Sequence, residues 1–145
     1  MASMFGGLCL GPVNTAAVHA LAYPLGTEFH IPHGLSTAIL LPEVFRFNVD
    51  SSVARHAAVS VALGATENGD AIDIAKQGAQ ILKEIVCTSG VLHERCLLAI
   101  DRNRVDAMAS TALQITRLMK NNPRCINQDQ AVEIYKGALS AIDPH

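Results

Sequence analysis

Three of the six histidines, His19, His30 and His33, fall within one short stretch, HALAYPLGTEFHIPH, and three of the six prolines punctuate residues 19–48. Neutral imidazole is the commonest metal ligand among side chains, so this stretch is where the chain could do chemistry. His19 and His33 stand fourteen positions apart and cannot share one helix face. They converge only if the chain reverses between them, and Pro24-Leu25-Gly26 is the break that would reverse it. His30 and His33 have the i,i+3 spacing of a helical pair, but Pro32 between them argues for a loop. From spacing alone two readings stay open: a metal site, or two partly buried histidines with hydrogen-bonded nitrogens.

Two ligands are also too few. A closed zinc site takes about four protein ligands, and a catalytic one about three plus an open position. There is no H-E-x-x-H, and no carboxylate stands at an obvious ligand spacing from His19. Glu28 and Glu43 are the nearest acids and read as ordinary loop and helix residues. His56, His93 and His145 are isolated and read as surface or helix-end residues. Cys96 beside His93 reads as packing. No G-x-G-x-x-G, Walker A or G-x-S-x-G is present.

The elements that must position these histidines read as helices. Val13, Ala17 and Ala20 recur at helical spacing, giving a helix over 12–22 that carries His19, is centrally packed through small residues, and is stopped by Pro24. Residues 26–32 read as a loop. Helical pattern resumes over 34–48 through Leu35, Ile39, Leu40, Val44 and Phe45, with Pro42 implying a kink or break and Asn48 closing it. Asp50, Ser51 and Ser52 offer caps for a helix over 52–63 that ends at Gly64. The clearest amphipathic helix spans 70–86, where Ile74, Ile81 and Ile85 share a stripe with Gly78 while Lys76, Lys83 and Glu84 stay wet. Residues 88–100 are weaker, with a Ser89-Gly90 turn. Asp101 caps a helix to about residue 119, buried through Val105, Met108, Ala112 and Ile115, which Asn122-Pro123 breaks. Asn127 and Gln130 have capping-box spacing and open a last helix to residue 140, with Ala131, Ile134 and Ala138 inward. No stretch alternates as a strand and no repeat is visible. The fold class is all-α, a bundle of six or so short helices forming a single domain over 1–145.

Composition agrees. In 145 residues, half are hydrophobic but only 4% are aromatic, so Ala, Leu, Ile and Val must supply the core. A net charge of −2 with no basic run gives no reason to expect nucleic acid as a partner. The four cysteines show no C-x-x-C spacing and read as reduced thiols, which fits a cytoplasmic protein. The apolar start has no Lys or Arg before Arg46, so it lacks the basic region of a signal peptide, and no apolar run reaches the roughly 18 residues of a membrane helix. A start so apolar looks like the inside of a larger protein.

Three segments are more specific. HALAYPLG from His19, HIPHG from His30 and AILLP from Ala38 closely resemble the iron-containing (group III) alcohol dehydrogenases. The resemblance continues through Arg46-Phe47-Asn48 and returns at Asn121-Asn122-Pro123-Arg124 and at Ala131 to Tyr135, so it covers nearly the whole chain. It implies the family's all-helical C-terminal domain, with His19 and His33 as two ligands of a catalytic Fe²⁺ or Zn²⁺ that polarises the substrate oxygen while hydride passes to NAD or NADP. By the same resemblance Tyr23 stands near the cofactor, where some members carry a histidine, and Glu43 replaces a histidine frequent in that segment. His30 becomes a reserve ligand, a group supporting the ligands or a proton relay. The resemblance also implies a preceding dinucleotide-binding domain and two further ligands, an Asp and a His, none with a counterpart here.

The expected function is therefore the C-terminal part of a metal- and NAD(P)-dependent alcohol dehydrogenase acting on a small alcohol or aldehyde. The Asn-Asn-Pro-Arg segment is reminiscent of its maleylacetate reductase side. The alternatives are a non-catalytic helical module with vestigial ligands, and a metal-binding protein that completes its site across an oligomer. Weak or absent activity is expected of the chain alone. Self-association is expected from the apolar segment over residues 4–10.

Overall fold

The computed structural model describes Met4 and residues 14–142. Cys9, His145 and the expected start of the first helix at residue 12 lie outside them, as does most of the apolar segment over 4–10. Among the described residues there is no strand, and the all-α reading holds. The helices are α1 (Ala17–Phe29), α2 (His33–Asn48), α3 (Val53–Ala62), α4 (Ala71–Thr88), α5 (Val105–Leu113), α6 (Thr116–Met119) and α7 (Gln128–Ser140), with short 3₁₀ turns between several of them. No helix among the described residues is long and apolar enough to cross a membrane.

Helix α1 is central. Ala17, Ala20, Leu21, Ala22 and Leu25 are all buried, and α1 packs against α2, α5 and α6. The expected stop at Pro24 is wrong: α1 runs through it to Phe29. Pro24 has no N–H to offer the Ala20 carbonyl. Its ring, however, is among the fully buried side chains, so packing offsets part of the lost bond. The loop expected over 26–32 shrinks to residues 30–32. Pro42 does not break α2, which is continuous to Asn48.

The α3–α4 pair packs most closely where side chains are smallest. Ser60, fully buried, donates to the carbonyls of His56 and Ala75, directly over Gly78. Gly78 and Ile74 face inward as expected, but Ile85 is 49% exposed. Ser52 and Asp70 precede α3 and α4, yet neither side chain makes a cap hydrogen bond. Gly64, just beyond α3, takes the positive φ that favours glycine. Asp101 accepts from the Asn103 N–H, and the helix expected to 119 divides at residues 114–115. Leu118, not Ile115, enters the core there. The Asn127–Gln130 capping box forms in full, and Ala131, Ile134 and Ala138 face the core.

Two polar segments far apart in sequence lock α2 to the loop before α7. Asn48 and Asn122 exchange side-chain hydrogen bonds of 2.9 and 2.8 Å. Beside them Arg124 donates to the Phe47 carbonyl and stacks its guanidinium 4.3 Å from the Phe47 ring centre. The reduced thiols Cys87, Cys96 and Cys125 form no disulfide.

Candidate metal centre

His19 sits in the first turn of α1, and His33 is the first residue of α2. From His19 to Phe29 the helix advances about 15 Å, so a simple antiparallel turn would leave the two rings well apart. The connection closes that gap by doubling back. His30 adopts the left-handed conformation (φ 57°), and the Ile31 N–H bonds to the Leu25 carbonyl at 3.2 Å. The Ile31 carbonyl lies over Gly26, and its side chain is buried. The chain therefore reverses at residues 30–32, beyond the proline expected to reverse it, and its return path carries His33 toward the start of α1.

The outcome is an Nδ1 of His19 3.0 Å from the Nε2 of His33, with ring centres 5.0 Å apart and planes tilted by 39°. His19 is half-buried and His33 exposed. Burial first, and the neighbouring His33 second, lower the His19 pKa, which favours the neutral ring with a free lone pair. Two nitrogens 2.0–2.1 Å from one ion stand roughly 3.0–3.4 Å apart when they are adjacent ligands. The pair thus fits a divalent transition-metal ion, and without one it fits a shared hydrogen bond. Among the described residues no third His, Cys, Asp or Glu joins it.

The other expected site residues lie apart from this pair. Tyr23 is one turn beyond His19 on α1 and is 44% exposed. His30 is exposed at the end of α1, and its ring makes no hydrogen bond among the described residues. Glu28 lies on α1 rather than in a loop and pairs with Arg104 at 3.1 Å; Glu43 pairs with Arg46 at 2.8 Å. His56 is tied to the Ser52 carbonyl and packs edge-on to Phe45.

A cleft of about 480 Å³ opens beside His19, lined by Asn14, Thr15, Val18, Thr37, Ala38 and Leu41 among others. Sequence reasoning missed its polar members. Asn14, Thr15 and Thr37 carry no motif, and their adjacency to the two histidines was their sole signal.

Residues 1–139 match the description "Fe-containing alcohol dehydrogenase family, C-terminal". Long-chain-alcohol dehydrogenase 1 of Geobacillus thermodenitrificans is 30% identical, over 99% of this chain and 37% of its own length. The 1,3-propanediol dehydrogenase of Citrobacter freundii is 28% identical, over 95% and 36%. The crystal structure of a 1,3-propanediol oxidoreductase superposes with a TM-score of 0.86 at 27% identity, covering 94% of this chain and 36% of that one. An alcohol dehydrogenase from Oenococcus oeni gives 0.85 at 28%, with the same coverage. The chain thus spans little more than a third of these relatives.

Proposed function

The chain belongs to the Fe-containing alcohol dehydrogenase family, and on that premise we propose that it is the metal-binding C-terminal part of an NAD(P)-dependent enzyme interconverting alcohols with aldehydes or ketones. The observation that carries this reading is the 3.0 Å approach of His19 and His33 within a chain matched to the family over residues 1–139. His19 and His33, whose Nδ1 and Nε2 face each other, would hold Fe²⁺ or Zn²⁺. When bound, the ion supplies Lewis acidity to the substrate oxygen.

The remaining roles fall to residues around that pair. Thr37, Ala38 and Leu41 line the cleft in which a small alcohol would lie beside His19. Tyr23, one turn along α1, faces the nicotinamide cofactor. His30 is the proton relay to solvent, consistent with its exposure. The dinucleotide-binding domain and the remaining ligands belong to a preceding part of the enzyme, which works as a cytoplasmic homo-oligomer. The names of the relatives span long-chain alcohols and a propanediol, so the reading stops at the alcohol class.

Titration calorimetry with Zn²⁺ and Fe²⁺ tests the ligand assignment. His19→Ala and His33→Ala should each lower affinity by tenfold or more, because one imidazole alone cannot enclose the ion. Equal affinity in all three proteins would remove both histidines from the site.

A further inference from the structure

The Asn121-Asn122-Pro123-Arg124 segment touches both helices that carry the paired histidines. The Asn121 side-chain amide donates to the Thr15 carbonyl at 3.0 Å. Thr15 stands just ahead of α1, on the approach to His19. Ala16, the N-cap of α1, offers no side-chain oxygen to cap it. The His19 N–H turns instead to the Ala16 carbonyl at 3.1 Å, in a tightened first turn. The entry of α1 is thus fixed from outside the helix, by a side chain 106 positions later.

Asn121 can hold that entry because its own segment is fastened to α2. The backbone N–H groups of Asn121 and Asn122 bond back to the Leu118 and Met119 carbonyls at 3.1 and 3.0 Å, and Leu118 is buried. Asn122 exchanges bonds with Asn48, the last residue of α2, and also donates to the Arg124 carbonyl at 2.6 Å. Arg124 donates to the Phe47 carbonyl at 2.8 Å. Helix α2 is continuous from His33 to Asn48, about 22 Å, so its first residue follows its last as one arm of a lever follows the other. A closed circuit results, running from His19 through the entry of α1, Asn121, Asn122 and the end of α2 to His33.

We propose that Asn121 is a positioning residue for the His19–His33 pair, setting the 3.0 Å approach of the two rings by holding the entry of α1 to the segment that grips α2. Removing its donor frees the first turn of α1, and the His19 ring moves relative to His33. The bond from the Ile31 N–H to the Leu25 carbonyl holds the opposite end of α1, so it does not replace this one. The effect on metal binding rests on the reading of these histidines as ligands; the placement of the two rings does not.

Asn121→Leu tests this, since it keeps the side-chain bulk, adds no charge and removes the donor. Gly64→Ala is the control: at a positive φ beyond α3, a helix that packs chiefly on α4, it weakens the fold without touching α1. In the metal-free chain, ring-nitrogen NMR spectra should show His19 and His33 shifted in Asn121→Leu, with His56 unmoved. Gly64→Ala should leave the pair as it is in wild type. Zn²⁺ titration, at a temperature where every variant is folded, should show affinity about fivefold weaker in Asn121→Leu and within twofold of wild type in Gly64→Ala. Unchanged ring resonances in Asn121→Leu overturn the proposal. So does an equal change in Gly64→Ala, which would make the effect one of overall stability. If the rings shift in Asn121→Leu while neither it nor His19→Ala loses zinc affinity, the positioning role stands and the reading of these histidines as ligands falls.

Discussion

The hydroxyl of Tyr135, on α7, donates to the backbone carbonyl of Leu21, on α1, 114 positions earlier in the chain. Tyr135 is the largest fully buried side chain among the described residues, and Leu21 lies two residues beyond His19. The bond grips the turn of α1 just ahead of Pro24, where the helix ladder is missing a donor. The position of the His19 ring therefore depends on an anchor from the far end of the described chain.

Tyr135→Phe keeps the ring and removes the donor, so it should cost about 1–2 kcal/mol and lower Tm by about 3–7 °C. Alkaline pH offers a second readout. Burial, and next the Glu28 charge, raise the Tyr135 phenol well above its ordinary value of 10.0. The unfolded phenol ionises near its ordinary value while the folded one holds its proton. This group's stabilising contribution is thus full below about pH 10 and falls away as pH rises beyond it. Between about pH 9 and 11 the urea midpoint of wild type should drop more steeply than that of Tyr135→Phe. Parallel slopes would show that the phenol is not protected.

Gly78→Ala should destabilise by about 1–3 kcal/mol, the cost of overpacking a full core. A methyl there would run into the Ser60 hydroxyl, which is itself held by two carbonyls, and would stand 3.0 Å from both Ser60 Cβ and the Phe45 ring. Chemical denaturation of Gly78→Ala measures the loss. Adding Ser60→Gly should restore part of it by clearing the space, and a double variant no better than the sum of the singles would contradict this contact.

The Asn48–Asn122 pair should show coupling in a double-mutant cycle. Each side chain gives one bond to the other and takes one back, Asn122 gives a second to the Arg124 carbonyl, and Asn48 is buried. Asn122→Ala leaves the buried Asn48 amide unpaired, Asn48→Ala leaves the half-buried Asn122 amide with the Arg124 carbonyl alone, and the double variant removes both amides. The expected interaction energy is about 1–2 kcal/mol, read from urea midpoints. Strict additivity would mean that the two amides contribute independently of each other.

The approach of His19 to His33 was legible, but not the route the chain takes to achieve it. Pro24 reads as a stop because the rule is local: a missing N–H and a ring that clashes with the preceding turn. The burial of that ring is a tertiary fact with no local signature. His30 as the true end of α1 is hidden for the opposite reason, since a left-handed cap is usually signalled by glycine and here is not. The Asn127–Gln130 capping box was fully legible because both partners sit within one turn. On α4, the stripe held at Ile74 and Gly78, where α3 packs across it. It failed at Ile85, near the helix end, because periodicity says which residues share a face and not how far the covering helix extends. The Asn48–Asn122 lock spans 74 positions and leaves no trace in spacing.

His30→Gly should stabilise the protein. At φ 57° and ψ 27°, His30 occupies the left-handed region in which a Cβ costs about 1–2 kcal/mol. Its ring is exposed and gains no hydrogen bond among the described residues to offset that cost. Glycine removes the strain but widens the unfolded ensemble, so the net gain expected is about 0.5–1 kcal/mol, seen as a higher urea midpoint. His30→Ala keeps the Cβ in the same region and should show no such gain, which separates strain from loss of the ring. Zinc affinity tests the proton-relay role against that of a metal ligand. If the ion is held by His19 and His33, both His30 variants should bind it within twofold of wild type. A loss of tenfold or more in His30→Ala would make His30 a ligand or an immediate support of one. Stabilisation together with unchanged metal affinity would leave the proton relay as the function for which a strained histidine stands where glycine fits better.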